Sequence, residues 1–117
     1  AKDVARTLVN IWVQANNIAK SNGDDFVAIL QPVASIGKPY LNHIEFNPIW
    51  IDRINQYKFV YPLIKKYALE ENINFLDMTD IYDVNYPVYI DFCHVSPQGN
   101  ELVVERLLLE LNLLGLL

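Results

Sequence analysis

Asp91 and His94 are the residues whose types and spacing best suit chemistry in this chain. Set three positions apart on a loop, a carboxylate can turn to face an imidazole. An ionised aspartate that accepts the Nδ1 proton fixes the tautomer and leaves Nε2 free as a base. It also stabilises the imidazolium that forms when the ring takes a proton. That suits activation of a hydroxyl, with general-base assistance worth roughly 10²–10⁴-fold. The same spacing also arises where an Asp and a His merely shape a surface turn. The hydroxyl itself is harder to find. The serines are Ser21, Ser35 and Ser96. Ser21 stands where a helix ends and Ser96 where one begins, so Ser35, in a long loop, is the serine to test as a nucleophile.

Other polar groups lead less far. Cys93 lies between Asp91 and His94, and a Cys-His nucleophile is conceivable. Neighbouring side chains on an extended loop point apart, so the expectation is a buried, inert thiol. His43 with His94 and acidic residues offers donors for a metal, but no H-x-x-H spacing links them, and no metal or cofactor is expected. Asp77, Asp80 and Asp83 read as turn and cap residues rather than a cation site.

Elements that could position such a pair follow from the apolar pattern. Val4, Leu8, Ile11, Trp12, Ala15, Ile18 and Ala19 recur at helical spacing, and Gly23 suits the left-handed position after the helix. Phe26 to Leu30 is a short unbroken apolar run closed by Gln31-Pro32, as in a strand buried on both faces of a parallel sheet. Val33 to Pro48 is a long loop, and long ordered loops are often functional. A helix runs from about Trp50 to Glu71 with Pro62 inside it, predicting a kink or two abutting helices. Its buried stripe is Ile54, Tyr57, Tyr61, Ile64 and Ala68, with Lys65, Lys66, Glu70 and Glu71 mostly on the solvated side. Ile73 to Asp77 reads as a second strand and Met78 to Pro87 as an irregular connection. Ser96 caps a last helix that Pro97 opens and Gly115 ends, with Leu102, Val103, Leu107 and Leu111 on one face.

Strands alternating with helices imply right-handed crossovers and a parallel α/β sheet. Two buried strands cannot cover their own edges and faces. The sheet is therefore expected to be completed from outside this sequence, by an N-terminal part of the same domain or by an oligomer partner.

Composition narrows the rest. The chain has 117 residues, enough for one core, and 52% are hydrophobic, far from disorder. The net charge is −5 and the basic residues do not cluster, which argues against nucleic acid. A single cysteine rules out an intrachain disulfide and leaves the compartment open. Glu105, Arg106 and Glu110 interrupt the leucine-rich tail, so no membrane span is expected there. The chain opens Ala-Lys-Asp, without a signal-like segment and straight into a helical pattern, and reads as the remnant of a longer one.

The run Val88-Tyr89-Ile90-Asp91-Phe92-Cys93-His94-Val95-Ser96-Pro97-Gln98-Gly99-Asn100 resembles the last conserved block of SGNH (GDSL-type) hydrolases. There, the Asp and His of a D-x-x-H run precede a Gly-Asn and the C-terminal helix. Val27 to Pro32 resembles the family's penultimate core strand, and Asn74 to Asp80 the strand and turn before its catalytic loop. The resemblance covers nearly the whole chain, but only the last block is specific. It implies the C-terminal portion of a three-layer α/β/α domain, residues 1–117, that hydrolyses a small ester. It also implies that Asp91 and His94 are catalytic. The family's Gly-Asp-Ser nucleophile block and Gly-x-Asn-Asp oxyanion block do not occur here. The serine and oxyanion hole would lie outside this chain, which alone should be inactive. In the family the loop after the penultimate strand borders the active site, so Tyr40, His43 and Trp50 are candidates for substrate contact. A non-catalytic α/β interaction module and a degenerate hydrolase retained for binding are the rival readings.

Overall fold

The computed structural model describes residues 1–117 as three helices and two strands in the expected order. Helix α1 spans Lys2–Ser21, strand β1 Val27–Leu30, helix α2 Pro48–Leu69, strand β2 Asn74–Asp77 and helix α3 Pro97–Leu113. Asn47 caps α2 through its side chain, which accepts from the Ile49 N–H at 3.0 Å. Pro62 lies within α2, which runs through it as one helix instead of splitting into two. Ser96 caps α3, as expected, by accepting from the Gly99 N–H.

β1 and β2 pair in parallel, with Ala28 opposite Phe75 and Leu30 opposite Asp77. The long crossover through α2 makes parallel pairing possible. The Leu30 carbonyl accepts from the Met78 N–H at 3.1 Å, just past β2. By the alternation of a strand, Ala28 and Leu30 turn their amides toward β2. Val27 and Ile29 turn theirs to the opposite edge, where the two-stranded sheet has no further strand.

One core cluster joins Ala5 and Val9 of α1, Leu30 of β1, and Tyr61, Ile64 and Ala68 of α2. The stripe expected on α2 is the one that packs. On α1 the expectation fails in part. Ala5, Val9 and Asn16 are buried, Leu8 and Trp12 flank the core, and Val4, Ile11 and Ile18 face solvent. These last three recur every seven residues and form a second apolar row that nothing in the chain covers. A second cluster, Ala34, Tyr82, Val88 and Tyr89, is built from the segments after β1 and β2, and α3 docks on it through Leu102 and Val103. The rest of α3 is poorly covered, with Leu108, Leu109 and Leu113 each more than half exposed.

The dimensions agree with this. The radius of gyration is 15.5 Å, where a compact domain of this length has about 13 Å. The accessible surface is 7623 Å², where a compact monomer of this mass exposes about 6,500 Å². The chain forms a slab with apolar area uncovered. No helix is long and apolar enough to cross a membrane.

Lys65 departs from the expected solvated face. Its Nζ reaches back to β2, 2.8 Å from Asp77 Oδ2, and donates to Thr79 Oγ1 at 2.7 Å. Asp77 also accepts from the N–H and hydroxyl of Thr79. This is the turn chemistry expected of Asp77, with an ion pair added.

Candidate functional site

The segment from Val88 to Ser96 folds back on itself. Tyr89 and Val95 form an antiparallel bridge. The Ile90 N–H donates to the His94 carbonyl and the Ser96 N–H to the Val88 carbonyl, both at 2.8 Å. Inside this closed neck, Asp91 Oδ1 accepts the backbone N–H groups of Cys93 at 2.9 Å and His94 at 2.7 Å. Its other oxygen lies 2.6 Å from His94 Nδ1. The structure therefore brings Asp91 and His94 together. His94 Nε2 has no protein partner, and the His94 side chain is 75% exposed.

The main chain sets the electrostatics of the pair. The His94 N–H is the foremost of several donors that lower the Asp91 carboxyl, against the opposing push of desolvation. The Cys93 N–H and the His94 ring add to it, and the carboxyl is held at about 2. Asp91 is thus an anion across the neutral range and a fixed acceptor for Nδ1–H. With Nδ1 so engaged, Nε2 carries the lone pair and points outward as a base.

The loop lies where open parallel sheets place their sites, beyond the carboxyl ends of the strands. Cys93 and Val95 line a cleft of about 220 Å³ with Gln31 and Pro32, which follow β1, and Met78, which follows β2. Asp91 lines a separate cleft of about 440 Å³ with His43, Phe46, Trp50, Ile54 and Phe92. Trp50 and Phe92 stack there with ring centroids 6.0 Å apart.

The remaining candidates divide. His43 and Trp50 border Asp91, but His43 Nε2 is 2.6 Å from the Tyr89 carbonyl oxygen. That contact holds His43 as a brace on the neck of the loop. Tyr40 stacks on His43 yet lines a different, shallow cleft with Lys38 and Asp83. Ser35 lines another cleft again, without Asp91 or His94. Its hydroxyl is buried and has no hydrogen-bond partner. Ser21 donates to the Ile18 carbonyl at the end of α1.

The expectation for Cys93 holds only in part: burial and then the neighbouring Asp91 carboxylate push its thiol up, but the side chain is not enclosed and does not point away from His94. Its side chain is only partly buried, and Sγ is 3.6 Å from His94 Nδ1. Asp91 gathers the N–H groups of both residues onto one oxygen, which curls the backbone so that neighbouring side chains converge. Asp-x-Cys-His could have signalled this, because an Asp accepting from the residues two and three positions on is a common turn.

No family model matches this chain, and no curated protein or solved structure is similar to it at a meaningful level.

Proposed function

We propose that this chain is the C-terminal portion of a three-layer α/β/α SGNH-type ester hydrolase, in which Asp91 and His94 are two members of a catalytic triad. The observation that carries the reading is the 2.6 Å contact between Asp91 Oδ2 and His94 Nδ1, with Nε2 unpartnered beyond the carboxyl ends of parallel strands. A serine from outside the chain attacks the acyl carbon. His94 Nε2 takes the serine proton and passes it to the leaving alkoxide, while Asp91 holds the ring and balances its charge. Water then releases the acyl group by the same proton route in reverse. The aromatic cleft is lined by Asp91 but not by His94, so it would hold only a part of a small ester remote from the reacting carbonyl. The unpaired edge of β1 is where the rest of the sheet would join. The serine and oxyanion donors arrive with that segment, each worth orders of magnitude in rate.

The test is labelling of the intact protein with a serine-reactive fluorophosphonate. Rapid labelling that His94→Ala abolishes is expected, and the isolated 117-residue chain should stay unlabelled. Labelling of the intact protein that ignores His94→Ala rejects the reading.

A second reading, a non-catalytic α/β module that pairs through its sheet edge, is favoured by the uncovered rows on α1 and α3. It requires the isolated chain to assemble with itself. Sedimentation as a stable monomer eliminates it.

A further inference from the structure

We propose that Asp91, Cys93 and His94 form a binding site for a divalent zinc-class ion, and that its occupancy switches the Asp91–His94 pair off. A carboxylate oxygen, the Cys93 sulfur and a ring nitrogen of His94 all lie within 4.8 Å of one another. Cys93 Sγ and His94 Nδ1 are 3.6 Å apart. With zinc–sulfur and zinc–nitrogen bonds of about 2.3 and 2.0 Å, a tetrahedral ion sets those two donors about 3.5 Å apart. That edge of the tetrahedron already has the required length. The Asp91 Oδ2 to Nδ1 separation is 2.6 Å, the length of a hydrogen bond. The corresponding tetrahedral edge is about 3.3 Å, so replacing the proton by the ion opens it by roughly 0.7 Å. Both side chains have room to move, being 46% and 75% exposed.

The donor set gives the class of ion. One thiolate, one imidazole and one carboxylate select a borderline-soft transition metal over magnesium or calcium. Three protein donors leave the fourth position to water. Asp91 Oδ1 keeps its two backbone N–H bonds while Oδ2 ligates, so the carboxylate is oriented before the ion arrives.

The switch follows from the tautomer. Ligation uses the Nδ1 lone pair, so the neutral ring must carry its proton on Nε2, and the Cys93 thiol releases its proton to solvent. An Nε2 that already bears hydrogen cannot take one from an alcohol. The inhibitory half of the proposal rests on the hydrolase reading; the binding half does not.

The reduced 117-residue chain is titrated with Co²⁺, then with Zn²⁺ as competitor. A thiolate-to-cobalt charge-transfer band saturating at one ion per chain is expected, displaced by Zn²⁺. The ¹⁵N signals of the His94 ring should move from the Nδ1–H to the Nε2–H pattern. Cys93→Ser leaves the Asp91–His94 contact in place, yet should abolish the band and weaken Zn²⁺ binding by more than about tenfold. Absence of the band, saturation at one ion per two chains, or Zn²⁺ binding that ignores Cys93→Ser overturns the site. On the intact protein, Zn²⁺ should block fluorophosphonate labelling of wild type but not of Cys93→Ser. Labelling indifferent to bound Zn²⁺ overturns the switch alone. Absence of labelling without any metal rejects the hydrolase reading and leaves the binding result standing.

Discussion

Gly99→Ala should destabilise the chain even though alanine is the better helix former. Gly99 is buried in the first turn of α3, directly behind the site loop. A Cβ there would sit 2.7 Å from Val88 Cγ1, 2.8 Å from Val95 Cβ and 3.0 Å from Val95 Cγ2. Ordinary carbon contacts lie near 3.5–4.0 Å, so the gap must open by roughly 0.7–1 Å. Valine is stiff about χ1, and the Val95 Cβ moves only with its backbone. Overpacking of this kind costs about 1–3 kcal/mol. The helix-propensity gain is at most about 1 kcal/mol, and less in a first turn. The expected net loss is about 1–2 kcal/mol, or roughly 4–8 °C in Tm for a domain of this size. Urea denaturation with matched slopes measures it, with the exposed neighbour Gln98→Ala as a control expected to stay within about 0.5 kcal/mol. Because Val95 adjoins His94, the His94 ring signals should shift in Gly99→Ala and stay put in Gln98→Ala. A Gly99→Ala chain as stable as wild type would mean that the helix and loop are not packed as tightly as these distances require.

Asp91→Asn keeps an oxygen for the two backbone N–H groups but removes the acceptor for Nδ1–H. Labelling of the intact protein should slow by on the order of 10⁴-fold, and ring ¹⁵N spectra should report the other His94 tautomer; unchanged spectra contradict the assigned role of Asp91. Burial pushes the Asp77 carboxyl up, but hydrogen bonds from Lys65 and Thr79 outweigh it and hold it below its ordinary value of 3.8. A carboxyl lowered by folding adds stability that is complete above the unfolded value and is lost as pH falls through the lower folded one. Asp77→Asn should therefore weaken the acid limb of stability against pH, and an identical limb would show that the Lys65 pairing contributes nothing. Leu109→Lys with Leu113→Lys, on the outward side of α3 at 55% and 72% exposure, should change stability in urea denaturation by less than about 0.5 kcal/mol. A large loss of stability would place those leucines in a core.

Element order was legible because it rests on local signals: the apolar run of β1, the stripe on α2 and the Ser96-Pro97 start of α3. The buried side of α1 was not. Apolar residues occupy more than one of its faces, and only the position of α2 chooses Ala5 and Val9 over Val4 and Ile11. Lys65 was read as solvated because a charge on a helix usually is; its partner Asp77 lies on another element. At the site, the spacing of Asp91 and His94 allows their contact, and the run around them was needed to expect it. The bracing of His43 could not be read, because its partner is a backbone carbonyl, which every residue carries. The convergence of Cys93 on His94 depends on which N–H groups Asp91 collects, a choice made by the closed neck.

That neck has one more implication. The two backbone hydrogen bonds across the neck and the Tyr89–Val95 bridge tie the ends of the loop to each other, and Asp91 is anchored by amides within the same stretch. The relation between carboxylate and ring is thus internal to Val88–Ser96. Grafted between a strand and a helix start of an unrelated scaffold, such a segment would bring the contacts between carboxylate, amides and ring with it. The host would have to replace the backing that Ala34, His43, Tyr82 and Gly99 give the neck here, and set the distance from Nε2 to whatever it is meant to deprotonate.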